Sequence, residues 1–284
     1  PAFTFTATPS VAPSQVPSAF NTTASPTSSV APSQVPSVLN VTLSPVPSSV
    51  PSAMPSISCF SEYDLLAEAV TEAGSNGTGG VFTICPDTVF NLFVPPNSDV
   101  LPIVINASDT IIQCGPDGSK TNECILLGGS RHFEIAGSVT GVELKGLTFI
   151  GATDVSVGAF GSSNASATFD DCEWSDQSTG TASVLIYNGD GSTDSEGNLL
   201  PFEEGSMSVE FTNCTFSDLS NLELGAIANV GGMSVIVDSV FQGITSEESS
   251  ITVSENGTIS LSTSCFGGNS GDLPGTVFVD DIST

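Results

Sequence analysis

Acid–base catalysis requires groups that exchange protons near neutral pH and that the fold holds together. In this chain the candidates are few: an adjacent carboxylate pair, Asp170 and Asp171, a single histidine, His132, and three basic residues, Lys120, Arg131 and Lys145. None of the three cations falls within an acidic cluster, so no base stands beside carboxylates in the sequence. His132 opens the run HFEI directly after Arg131 and is expected at a surface or strand edge rather than as a general base. Asp170 and Asp171 coincide with a corner of the repeat described below, where both have a structural use without chemistry.

A metal loop is the second candidate. The run NGDGSTDSEGN sets Asn188, Asp190, Ser192, Asp194 and Glu196 on alternate positions, and Ca2+ takes oxygen ligands from loops that glycine allows to curl. The spacing departs from the helix–loop–helix calcium site, because Gly191 does not stand at the sixth position and no glutamate closes the loop. A solvated acidic turn accounts for the run. Ca2+ held by Asn188, Asp190, Asp194 and Glu196 is the alternative, and no other cofactor is implied.

Modification chemistry is better represented. Asn-x-Ser/Thr triplets at Asn21, Asn40, Asn76, Asn106, Asn164, Asn213 and Asn256 are acceptors for N-linked sugar. Asn21 and Asn40 hold the same place in a repeat, SVAPSQVPSAFNTT at 10–23 and SVAPSQVPSVLNVT at 29–42. The Ser-Pro and Pro-Ser pairs around them suit O-linked sugar. Asn213 precedes a stacked cysteine and is the least favoured of the acceptors.

The seven cysteines point to an oxidising compartment. Cys59, Cys85, Cys114 and Cys124 allow three pairings, of which loop length favours Cys59–Cys85 and Cys114–Cys124. Cys172 and Cys214 share a column of the repeat, about 4.8 Å apart by strand spacing, and are expected to bond. Cys265 is left over, either free or available to another chain.

The elements that must position these groups divide by composition. Residues 1–58 hold no charged residue and no glycine but most of the 18 prolines, which favours an extended or polyproline II arm. Residues 59–284 hold all 28 glycines and the whole net charge of −28, and are long enough for a single domain. That charge repels phosphate backbones and anionic lipid, so nucleic acid and membrane surfaces are poor partners. No apolar run is long enough to span a bilayer, and a start at Pro1 without a charged and apolar leader fits a mature secreted product.

The body is periodic. ELKGLTFIG, TFDDCEWSD, EFTNCTFSD, VIVDSVFQG and SLSTSCFGG align in three columns: Leu144, Phe169, Phe211, Ile236 and Leu261; Leu147, Cys172, Cys214, Ser239 and Ser264; Phe149, Trp174, Phe216, Phe241 and Phe266. Successive members stand about 25 residues apart, with one longer gap holding an insertion over 183–206, and a period of this size made of short β-type runs signals a solenoid. The first two columns are three residues apart, so the strand bends between them. The residues at the bend, Gly146, Asp171, Asn213, Asp238 and Thr263, are mostly types that tolerate left-handed backbone. SEYDLLAEAVTEAG, 61–74, reads as a capping helix with Ser61 as N-cap and Leu65, Leu66, Ala69 and Val70 on one face. No equivalent cap is expected at the other end, where GTVFVDDIST reads as strand.

Over roughly residues 80–282, and most clearly in RHFEIAGSVTGVELKGLTFIGA, the chain resembles the right-handed parallel β-helix proteins of the pectin-lyase-like superfamily. The resemblance implies an all-β right-handed parallel β-helix of about 25 residues per rung. The superfamily mixes lyases, hydrolases, adhesins and surface proteins. Its polygalacturonase-like members pair aspartates with Gly-His-Gly and Arg-Ile-Lys motifs; this chain has Asp170-Asp171 and neither motif. The arm resembles the Ser/Pro-rich linkers of algal secreted surface glycoproteins. The expectation is a non-enzymatic structural subunit of an extracellular glycoprotein filament or cell-surface layer, its partners further copies of itself and covalent glycans. A polysaccharide-binding adhesin or wall protein is the alternative, and a polysaccharide lyase or hydrolase is the third possibility.

Overall fold

A one-residue excursion into left-handed backbone is the local event from which this fold is built. Gly146 stands at φ 64° between the strands Val142–Lys145 and Leu147–Ile150, and Asp171, Asn213, Asp238 and Thr263 repeat it at φ 54°, 55°, 51° and 50°. Asp and Asn tolerate this region because a short polar side chain bonds locally. At the first of these corners only glycine fits: a Cβ on Gly146 would stand 2.5 Å from the carbonyl oxygen of Gly118. A second column of left-handed residues, Gly151, Asp176, Asp218, Gly243 and Gly268, closes the strand that follows each corner.

The computed structural model describes residues 59–93, 100–161, 164–188, 207–271 and 276–279. The chain divides into two units, Pro1–Ser52 and Ala53–Thr284, and every described residue belongs to the second; the arm expected over 1–58 lies outside them. Among the described residues the fold is all-β apart from one α-helix and one 3-10 turn, with three parallel sheets. Sheet 1 stacks Val81–Ile84, Ile111–Cys114, Val142–Lys145, Ser166–Asp170, Ser208–Thr212, Met233–Val237 and Thr258–Ser262. Sheet 2 stacks Val89–Asn91, Cys124–Leu127, Leu147–Ile150, Glu173–Ser175, Thr215–Ser217, Val240–Gln242 and Cys265–Gly267. Sheet 3 begins with Ile103–Ile105, Phe133–Gly137, Val155–Gly161, Gly180–Asn188 and Leu222–Val230, and continues through shorter strands to Val277–Val279. The chain visits sheets 1, 2 and 3 in turn and then climbs one rung.

Register places like on like. Ile112, Leu144, Phe169, Phe211, Ile236 and Leu261 pair successively in sheet 1, and Phe149, Trp174, Phe216, Phe241 and Phe266 do so in sheet 2. The sheet 2 rings stack at centroid separations of 5.0, 4.5, 4.7 and 4.7 Å, and all but Phe266 are buried. Rung spacing fixes that separation, so each ring packs on both neighbours.

The helix α1, Tyr63–Asn76, packs on the first rung and ends at Gly77 in left-handed backbone. Two expectations about it are corrected. Glu62, not Ser61, is the N-cap, and no side chain caps the helix. The buried face is Leu66 and Val70 with Tyr63 and Ala67 packed beside them, while Leu65 is 50% exposed. The Tyr63 hydroxyl donates to the Leu101 carbonyl at 3.0 Å, which turns that side of α1 towards the coil. The insertion expected over 183–206 also starts later, because 183–188 belong to the strand Gly180–Asn188; its remainder, 189–206, lies outside the described residues.

Phe216→Ala, which removes one ring from the middle of the stack, is expected to destabilise the fold by about 3–5 kcal/mol. Trp174→Phe keeps the stack and removes an indole N–H that is buried without a partner, and should cost under about 1.5 kcal/mol. Chemical denaturation of both variants checks the pair.

Candidate functional site

The groups that could have made an acid–base site are each engaged elsewhere. Asp171 acts as a staple between rungs: one carboxylate oxygen accepts the Lys120 backbone N–H at 2.8 Å and the other accepts the Asn213 side-chain amide at 3.0 Å. Lys120 pairs with Glu173 at 3.1 Å, Lys145 with Glu143 at 2.7 Å, and Arg131 with Glu134 at 3.0 Å and Asp154 at 3.4 Å. Arg131 also lies over the Phe160 ring, 5.3 Å from its centroid. The basic complement is thus spent on neutralising neighbouring carboxylates.

His132 is not the edge residue that its position beside Arg131 suggested. It is fully buried and stacked on Phe149 at 5.6 Å, with Nε2 2.7 Å from the Gly128 carbonyl and Nδ1 2.8 Å from the Ser156 hydroxyl. A carbonyl only accepts, so Nε2 carries the proton and Nδ1 accepts from Ser156. Burial pushes its pKa down to about 4, and the ring is neutral at physiological pH. It is a satisfied core residue rather than a proton carrier.

The cysteines divide into two kinds. Cys59–Cys85 and Cys114–Cys124 are disulfides, as loop length favoured, with Cα separations of 4.9 and 5.5 Å. Bonds of this kind persist in oxidising compartments. Cys172 and Cys214, expected to bond, are instead two buried thiols. In parallel rungs in register their Cα–Cβ vectors run side by side, whereas a disulfide needs them to converge with a dihedral of roughly 90°. Each thiol donates to a carbonyl of the preceding rung, Cys172 to Leu144 at 3.3 Å and Cys214 to Phe169 at 3.4 Å. Burial raises the Cys172 pKa to about 12 and moves that of Cys214 the same way, so neither is a nucleophile. Cys265 is exposed and unbonded.

Five of the seven sugar acceptors fall among the described residues, all exposed; Asn21 and Asn40 lie outside them. Asn76, Asn106, Asn164 and Asn256 occupy the segments that lead into the sheet 1 strands beginning at Val81, Ile111, Ser166 and Thr258. They share one edge of the coil. Asn213 alone lies at the corner between sheets 1 and 2, its amide already given to Asp171. Of the calcium candidates, Asn188 ends a sheet 3 strand and is buried, while Asp190, Asp194 and Glu196 lie outside the described residues. Among the described residues no group of three His, Cys, Asp or Glu side chains is placed to hold a metal ion, and no helix is long and apolar enough to cross a membrane.

The two ends of the coil differ. At the first rung α1 lies over the core, whereas at the last described sheet 1 strand Leu261 is 41% exposed although Ile236, one rung earlier, is fully buried. Phe266 is half-buried there, with a polar–apolar hollow beside it lined by Val240, Gln242, Cys265 and Gly268. Residue-by-residue expectation missed the second left-handed column, although its signal was present: Gly or Asp stands two places after every ring of the stack. Comparison of the chain with protein families, with curated proteins and with solved structures finds no match in any of the three.

Alkylation of native, unreduced protein should label Cys265 and spare Cys172 and Cys214; after denaturation without reductant all three should react. One label after denaturation, read by mass spectrometry, would establish a Cys172–Cys214 bond. Because the folded protein favours neutral His132, its contribution to stability is complete above pH 6.5 and declines as pH falls towards 4. The loss amounts to roughly 3 kcal/mol. Thermal unfolding from pH 7 to 4.5 should therefore show a steeper decline for the native sequence than for His132→Gln, whose amide does not titrate.

Proposed function

We propose that this protein is a structural subunit of an extracellular glycoprotein filament or cell-surface layer, built on a right-handed parallel β-helix of the pectin-lyase-like kind. The observation that carries this reading is the in-register stacking of rung on rung, with Asp171, His132 and the three cations all engaged in holding the coil rather than free for chemistry. A coil built by stacking like on like is suited to a head-to-tail contact between copies, and such a contact generates a filament when its rotation does not close.

The composition of residues 1–58 suits a link between copies: at the ~3.1 Å rise of polyproline II, about 50 residues would extend roughly 155 Å, whereas the seven rungs of sheets 1 and 2 rise about 30 Å. The leading PAFTFTATP alternates Phe3 and Phe5 with Thr4 and Thr6, the pattern of a strand added to a neighbour's sheet edge. The disulfides and the sugar acceptors fit an extracellular setting. The engaged state of Asp171, His132 and all three cations favours a structural role over hydrolysis.

Electron microscopy of the purified protein should show periodic fibres, and removal of residues 1–58 should abolish them while leaving the folded coil intact by circular dichroism. A single monomeric species in sedimentation velocity for the full chain, at concentrations where the native material is assembled, would overturn the assignment.

A further inference from the structure

The helix α1 leaves a groove along its flank. Tyr63, Ala67, Thr71 and Ser75 form one wall, and the segment 100–104, which runs into the first strand of sheet 3, forms the other. The hollow measures about 1130 Å³, above the ~300–1,000 Å³ of small-molecule pockets, and follows the helix for about 18 Å. Its strand wall is apolar: Val100, Pro102 and Val104 are half-buried, and Leu101, 77% exposed, is the most exposed large hydrophobic residue among those described. A row of carboxylates borders the helix wall. Asp64, Glu68 and Glu72 follow one another at one-turn intervals, all exposed, and none is in an ion pair among the described residues. Glu134, on the strand side, is by contrast already paired with Arg131 at 3.0 Å.

We propose that this groove docks an extended basic segment of a different protein. The spacing of its walls sets the pattern of that segment. Carboxylates one helical turn apart are separated by about 6 Å, and alternate residues of an extended chain by about 6.6 Å. Lysine or arginine at every second position therefore meets Asp64, Glu68 and Glu72 in turn. The residues between them point the opposite way, towards Leu101 and Val104, where aliphatic side chains remove that surface from water. At strand rise the groove holds about five or six residues. The assignment concerns the flank of α1 and stands whether or not the coil assembles.

Charge selects this occupant. The sequence holds three cations, each already paired with a carboxylate, and residues 1–58 carry no charge, so neither the body nor the arm of a second copy supplies such a segment. Nucleic acid and anionic polymers are repelled by the net charge of −28. A small polycation would satisfy the carboxylate row but leave Leu101 in water. Like charges at i and i+4 repel along a helix, and cations laid across the row relieve that repulsion.

The test is binding of a fluorescent peptide, KVKVKVK, to the full chain, read by anisotropy at about 0.15 M salt, where attraction by distant charges is screened. The peptide should bind saturably, and KKKKVVV and spermine, which keep cationic charge without the alternation, should bind about tenfold or more weakly. Glu68→Lys sets a cation between Asp64 and Glu72, an arrangement that a helix accepts, and should weaken binding about tenfold or more. Leu101→Ser, at an exposed position, should weaken it about fivefold. Glu210→Lys, the same charge change on an exposed position of sheet 1, should leave it unchanged, and circular dichroism should show that all three variants fold. No saturable binding, equal affinity for KKKKVVV or spermine, or equal loss in Glu210→Lys would each overturn the assignment, the last two by reducing it to attraction by net charge. Binding that appears only in Asn106→Gln would overturn it by making the sugar on Asn106, which lines the groove, its occupant.

Discussion

The in-register parallel backbone ladder is the constraint on which everything else depends. Each rung hydrogen-bonds to the rung below at equivalent positions, so a residue type chosen for one rung meets the corresponding choice of the next at strand spacing. Alternatives to stacking like on like are few. An aromatic ring in the column needs an aromatic or aliphatic neighbour above and below, and the sequence of Phe149, Trp174, Phe216, Phe241 and Phe266 satisfies this with nearly parallel rings after the first pair. Corners obey the same rule in backbone terms: a left-handed residue in one rung requires one in the next, or the strands beyond would lose register.

The same ladder governs which polar groups are buried and how they are satisfied. Asn229 stands in an inward column of sheet 3 among valines and isoleucines, yet its amide donates to Ser234 and to the Thr258 carbonyl and its oxygen accepts from Gly232. His132 is held in the same way between Gly128 and Ser156. Such groups are costly unless every bond is made, and in a coil the adjacent rung supplies the missing partners. Buried polar residues therefore contribute here to rung-to-rung specificity rather than to proton chemistry.

A solenoid also separates its surfaces in space. Sheets 1 and 2 leave their outer faces open, one edge gathers acceptors for sugar, and the two ends differ in how the core is covered. Each surface repeats along the axis, so a weak contact made once per rung is multiplied by the number of rungs, provided that the partner repeats at a similar distance. A repeating polymer or another coil meets that condition; a compact ligand does not.

Much of this was legible in the sequence. The inward columns and the corner residues Gly146, Asp171, Asn213, Asp238 and Thr263 follow from spacing, because a repeating coil converts sequence period directly into spatial neighbourhood, and the Cys59–Cys85 and Cys114–Cys124 pairs are the ones that loop length favoured among three. Other features were decided only by the tertiary structure. Cys172 and Cys214 are neighbours by period, but side-chain direction keeps them thiols; His132 is adjacent to a charged residue, but the rung above buries it; Ser61 has the chemistry of a cap, but α1 begins after Glu62. Period specifies which backbone positions stack, whereas the orientation of a Cβ vector, the cover over a ring and the start of a docked helix depend on contacts between segments that no spacing rule encodes.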